Sequence, residues 1–131
     1  MERATEIFAA VQCMVIGLSH VFRPRDWVDF FIWLRGKGYA GVFVNGFLSL
    51  GFGSVIVAFH NVWDGLRTVL TVFGWAQVLK GLICFVFPQI GMRSLERVSP
   101  DRAREFVVAG VALLSLSAVF WYLVFTHGAA R

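Results

Sequence analysis

Four apolar runs of similar length, joined by short polar connections, constrain this chain more than any other feature. They cover about residues 7–22, 41–59, 68–87 and 106–125. An apolar run of roughly 20 residues, wound as a helix, crosses a hydrocarbon layer of about 30 Å. The pattern predicts an all-α fold: an integral membrane bundle of four transmembrane helices. It forms one domain over residues 1–131, because no polar stretch is long enough to fold alone.

Composition points the same way. The chain is 58% hydrophobic and only 15% charged, against roughly 25% charged residues in a soluble domain. A soluble protein of this size cannot bury four such helices end to end. The first run lacks a small-residue cleavage site followed by a polar region, so it reads as a retained helix and not a signal peptide. In a soluble domain the net charge of +4 would suggest nucleic acid. Here basic loops facing anionic headgroups account for it, and no nucleic-acid partner is expected. Cys13 and Cys84 fall inside spans and belong to no CxxC pair. They read as small apolar packing residues, with a disulfide or metal site as the alternative.

The bases are unevenly shared between the two sides. Arg23, Arg25, Arg35 and Lys37 lie between spans one and two, and Arg93, Arg97, Arg102 and Arg104 between spans three and four. The other side has Arg3, Arg67 and Arg131, while Lys80 lies within a span. This asymmetry predicts cytoplasmic first and third loops and outward-facing, periplasmic termini.

The first loop has a pattern of its own. Trp27, Phe30, Phe31 and Leu34 fall at i, i+3, i+4 and i+7 and make one apolar helical face. Pro24 suits the first turn of such a helix, and Gly36 with Gly38 its end. The spacing predicts a short interfacial helix between spans one and two, lying on the membrane surface. The alternative is a first span that continues past a proline kink. Trp27, Trp33 and Trp63 are the expected interfacial anchors, since indole rings prefer the headgroup level. The third loop, residues 91–104, reads as the one strongly polar connection, while residues 60–65 leave room only for a tight hairpin.

Each span carries two small residues seven apart: Ala10 and Gly17, Gly46 and Gly53, Gly74 and Gly81, Gly110 and Ser117. Seven residues return to nearly the same helix face, and small residues let backbones approach closely in lipid. They are the expected helix-packing positions. Asn45, Ser49 and Gly53 also share a face, which should point at protein because Asn45 needs a partner in the membrane.

Few residues suggest chemistry. Lys80 lies about 12 Å along its helix from Pro88, with Gln77 one turn away. An ionisable intramembrane group points to function by default, although a lysine stem can snorkel to the headgroups. His60, Asp64 and His127 all fall at the outer ends of spans. Two histidines and a carboxylate are ligand types seen at metal sites, yet helix-end histidines commonly cap helices or sit at the interface. No spacing motif such as HxxxH supports a metal, so none is expected. His20 ends the first span on the opposite side. Glu6 sits at the edge of that span.

The run His60-Asn61-Val62-Trp63-Asp64-Gly65 is followed by Gly74-Trp75, Lys80-Gly81 and Pro88. It resembles a group of small bacterial inner-membrane proteins marked by an HNxW turn and a following helix with GW and KG pairs. The resemblance covers the hairpin of spans two and three. It implies a four-helix fold in a bacterial inner membrane, brings no activity with it, and draws attention to His60, Trp63, Trp75 and Lys80.

No HExxH, GxSxG or paired intramembrane carboxylates occur, so an enzyme is not expected. The leading expectation is a non-catalytic accessory, assembly or scaffold subunit without a cofactor. It would pack in the lipid bilayer against other membrane protein subunits or copies of itself. One alternative is a small transporter or channel component using Lys80. Another is a haem- or pigment-binding subunit using His20 or His60.

Overall fold

The computed structural model describes residues 1–129. It is an all-α bundle of six α-helices: α1 (Glu2–Phe22), α2 (Pro24–Gly36), α3 (Tyr39–Phe59), α4 (Thr68–Val86), α5 (Pro88–Glu96) and α6 (Ala103–Ala129). Short 3-10 turns at Gly65–Arg67 and Pro100–Arg102 lead into α4 and α6. Four of the helices, α1, α3, α4 and α6, are long and apolar enough to cross a membrane. Arg131, one of the outer bases in the charge count, lies outside the described residues.

Two prolines set the architecture. A residue before proline is pushed out of the helical region by the ring, and proline itself suits a first helical turn. Arg23 (φ −129°, ψ 50°) therefore ends α1 and Pro24 starts α2. Phe87 (φ −124°, ψ 65°) ends α4 and Pro88 starts α5 in the same way. Helix α2 is thus a separate helix and not a kinked extension of α1.

The two breaks reveal an internal repeat. Pro24 and Pro88 stand 64 residues apart, and so do Ala10 and Gly74, Gly17 and Gly81, Gly46 and Gly110, and Gly53 and Ser117. Each half of the chain runs long helix, short helix, long helix. Exchanging the halves carries the main packing onto itself. The α1–α6 contact becomes α4–α3, and α2 on α6 becomes α5 on α3. Both halves run in the same direction, so the pseudo-two-fold axis lies along the bundle.

The bundle consists of two antiparallel pairs, α1 with α6 and α3 with α4. Small residues set both crossings. A Cβ on Gly17 would stand 3.0 Å from the Gly110 carbonyl oxygen, and one on Gly81 would stand 3.0 Å from that of Gly46. Gly53 faces Gly74 one level further along. Ser117 takes that place in α6, and its Oγ donates to the Ala10 carbonyl oxygen at 2.8 Å. These small residues all serve contacts within the chain.

Between the pairs, packing is concentrated at the two ends. Towards the end that carries residues 60–64, here the hairpin end, Ala9, Ala10 and Cys13 meet Ile56, Leu70, Phe120 and Leu123. At the opposite, proline end, Leu34, Val42, Cys84 and Leu95 tie α2, α3, α4 and α5 together, and α2 packs in turn on α6. Both cysteines are free thiols in these cores.

Two expectations change here. The apolar face of α2 does not lie free on a surface. Leu34 is fully buried, Phe30 and Phe31 pack against the second core, and Phe31 stacks on Phe106 of α6 at 5.5 Å. The bundle takes this face because α2 closes the proline end between α3, α5 and α6. Residues 88–96 form a helix where a polar loop is expected. Gly91 and Leu95, one turn apart, bury its inner face, and its remaining residues are mostly exposed and polar.

Candidate functional site

Two polar centres lie inside this apolar frame. The first is at the hairpin end. Glu6 is not at an edge: it sits within α1, 1% exposed, beside the fully buried His60. A carboxylate can only accept, so His60 Nε2–H donates to Glu6 Oε1 at 3.2 Å. Arg67 Nε donates to the same oxygen at 3.3 Å, and Arg67 Nη2 donates to Glu2. Thr71 Oγ1 lies 3.4 Å from His60 Nδ1, donates to the Val62 carbonyl oxygen at 2.7 Å and accepts from Val62 N–H at 3.0 Å. Among the described residues, no fully buried side-chain polar atom lacks a partner. The cluster joins α1 to the α3–α4 pair.

This arrangement replaces the grouping of His60 with Asp64 and His127. His127 Nδ1 donates to the Leu123 carbonyl oxygen of its own helix at 3.2 Å. Asp64 is exposed, in extended backbone just before the 3-10 turn. Among the described residues, no group of three or more His, Cys, Asp and Glu could hold a metal ion. His60 is fully buried, with Nε2 bonded to Glu6 and Nδ1 3.4 Å from Thr71 Oγ1.

Glu2 and Glu6 occupy one helical face at i, i+4. Like charges in that relation repel, and this is the sequence signal that calls for a nearby cation. Arg67 answers it from the 3-10 turn that leads into α4. Next to the cluster, Asn61 Oδ1 accepts from the indole N–H of Trp63 at 3.0 Å and of Trp75 at 3.3 Å. The asparagine thus ties the hairpin to α4.

The second centre is a cleft of about 340 Å³ between the two pairs, on the proline side of the first core. Helix α1 contributes Gln12, Cys13, Ile16 and His20, and α3 contributes Asn45, Leu48, Ser49 and Phe52. From α4 come Phe73, Gln77 and Lys80, with Leu113 from α6 and Trp27 from α2. Phe52 and Phe73 meet edge to face at 5.8 Å at one end of it. Towards the other end Trp27 stacks on His20 at 4.2 Å and donates from Nε1 to Ser19 Oγ at 2.8 Å. Trp27 is therefore drawn into the bundle, while Trp33 and Trp63 are 57% and 61% exposed. His20 Nδ1 donates to the Ile16 carbonyl oxygen at 2.8 Å, which leaves Nε2 as the other polar atom of the ring.

The cleft lies where the two halves meet. Cys13 and Gln77, Ile16 and Lys80, and Ser49 and Leu113 are repeat equivalents, 64 residues apart, and all six line it. The side chains of Gln12, Asn45, Gln77 and Lys80 make no hydrogen bond or ion pair with other described residues. Asn45 thus faces the cleft and not a polar protein partner. Lys80 is exposed to the cleft, and no Asp or Glu lines it. A cation and three amides with free hydrogen-bonding capacity, set among aromatic and aliphatic side chains, can orient a small polar or anionic group.

No protein-family model, curated protein or solved structure matches this chain.

Proposed function

We propose that this chain is a multi-pass integral protein of the bacterial inner membrane that binds a small molecule within the bilayer. It acts as a carrier-type or binding subunit without catalysis of its own. The observation that carries this reading is the cleft between the helix pairs, lined by four polar side chains that bond to no other described residue. Polar groups in a hydrocarbon layer are costly unless satisfied, so their convergence on one cavity calls for a polar occupant. Repeat-built membrane carriers hold their sites at the repeat interface, which is where this cleft lies.

Four helices of spanning length support the membrane assignment. The eight bases beside α2 and α5 support a cytoplasmic proline end and a periplasmic hairpin end. Helix α2 then lies at the cytoplasmic headgroup level with Trp33 outward.

An accessory or scaffold subunit is the second reading. It draws support from outward apolar residues such as Phe47 and Val108, exposed by 67% and 64%, although lipid covers such faces equally well. The small-residue steps lend it none, because they are occupied within the chain.

The test is purification from native membranes in mild detergent, with mass spectrometry of co-purifying proteins and small molecules. A stoichiometric small molecule that is lost in Lys80→Met supports the binding role. A stoichiometric complex of larger subunits, with no bound small molecule, overturns it in favour of the accessory role.

A further inference from the structure

We propose that the cleft takes a single-chain amphiphile with one anionic headgroup, the headgroup against Lys80 and the chain against Ile16, Leu113, Phe52 and Phe73. This rests on the binding role proposed above and adds the class of ligand.

Three observations set that class. The first is sign. Lys80 makes no ion pair among the described residues, and no acid lines the cavity. An ammonium without a counter-ion in an apolar span favours an anionic guest and repels a cationic one.

The second is the way the repeat breaks its own symmetry. At equivalent positions α4 presents Gln77 and Lys80 where α1 presents Cys13 and Ile16, and α3 presents Ser49 where α6 presents Leu113. At these equivalent positions one side is polar and cationic and the other apolar, while Gln12 and His20 add polar groups on α1 and Leu48, Phe52 and Phe73 add apolar surface on α3 and α4. A molecule that fits both kinds of surface must itself be two-sided. A small inorganic anion would leave Ile16, Leu113, Phe52 and Phe73 without a partner, and an alkane would leave Lys80, Gln77 and Asn45 without one.

The third is size and access. About 340 Å³ is at the low end for a small-molecule site and suits one chain. The aromatic pair of Phe52 and Phe73 closes the cavity towards the hairpin end. The chain of the ligand therefore lies among apolar side chains while its headgroup meets Lys80 and the amides of Asn45 and Gln77. A free fatty carboxylate and the phosphate of an anionic single-chain lysophospholipid share this chemistry.

The experiment uses the full chain in nanodiscs of phosphatidylcholine. A dodecanoate carrying a diazirine on its chain is photolysed there, and the labelled peptides are mapped by mass spectrometry. Unlabelled dodecanoate, dodecanol and dodecyltrimethylammonium compete for the site. The expected result is saturable labelling of cleft-lining residues on α1, α3 or α4. Dodecanoate should displace the label at about one tenth or less of the dodecanol concentration, as one hydrogen-bonded charge interaction gives. Lys80→Arg should keep that ratio, and Lys80→Met should bring it to about one. Weaker labelling when lysophosphatidylglycerol is added supports the proposal with the lysophospholipid as source, and unchanged labelling supports it with the free acid.

Equal displacement by dodecanoate and dodecanol in the unaltered chain overturns the anionic class and leaves the binding role standing. Absence of saturable labelling, with no protection by any of the three competitors, overturns both. The competition ratio is read on the unaltered chain, so the outcome stands even where Lys80→Met fails to fold.

Discussion

Gly53 and Gly74 meet so closely that a Cβ on Gly53 would stand 2.6 Å from the Gly74 carbonyl oxygen. Backbone is on the far side of that contact, and it cannot swing away as a flexible side chain would. Gly53→Ala should therefore destabilise the α3–α4 pair by about 1–3 kcal/mol. Gly51, two residues earlier, has nothing within 4 Å of its Cβ position. Gly51→Ala should be neutral, or stabilising by up to about 1 kcal/mol through helix propensity. Unfolding in mixed detergent–dodecyl sulfate micelles measures both, and equal losses would contradict the close approach.

The buried ion cluster predicts a second contrast. Glu6→Gln leaves His60 and Arg67 without their shared carboxylate inside the fold. Removing one partner of a buried pair costs about 3 kcal/mol or more. Glu2 accepts from the same Arg67 but is only half-buried. Glu2→Gln should therefore cost under about 1 kcal/mol. The same unfolding measurement separates the two, and similar losses would argue against a structural lock centred on Glu6.

At the other end, Trp27 is held by one hydrogen bond, a stack on His20 and ring contacts with Phe30 and Phe31. Trp27→Phe retains a ring against His20 and loses the donor to Ser19, and Ser19→Ala loses the acceptor. The hydrogen bond itself contributes about 1 kcal/mol. The double variant should therefore lose less than the sum of the singles, by about that amount. Full additivity would show that the bond does not contribute.

Sidedness is open to a labelling test. Cys13 and Cys84 are buried, so a maleimide reports only on introduced cysteines. Asn61→Cys, at the hairpin end, should react with a membrane-impermeant maleimide in spheroplasts. Ser94→Cys, on the exposed face of α5, should react only after lysis. The reverse pattern would invert the topology.

The spans are legible in the sequence because an apolar run near the length of a bilayer needs no partner to be recognised. Partnership is harder to read. Small residues at seven-residue steps mark helix faces, but which face meets which depends on the tertiary fold, as Ser117 and Ala10 show from 107 residues apart. The repeat is hidden because spacing persists where identity does not: Ala10 answers Gly74, and Ser117 answers Gly53. Helix α5 reads as loop because its buried side rests on Gly91 and Leu95 alone. The ion cluster escapes notice for a different reason. Glu6, His60 and Arg67 each look like ordinary interfacial residues, and only the return of the α3–α4 hairpin against α1 brings them together. Lys80 and Gln77 stand out in the sequence, whereas their facing partners Gln12, Ile16 and His20 come from a helix some 60 residues earlier.

The pairing of α1 with α6 and of α3 with α4 has a consequence for biogenesis. The α3–α4 hairpin is contiguous and can close soon after it leaves the ribosome. Helix α1 must wait through most of synthesis, because its packing partner α6 is made last among the six. Its buried ion cluster can close earlier, when His60 and Arg67 reach Glu6. The salt-bridged corner thus ties α1 to the α3–α4 hairpin before α6 exists.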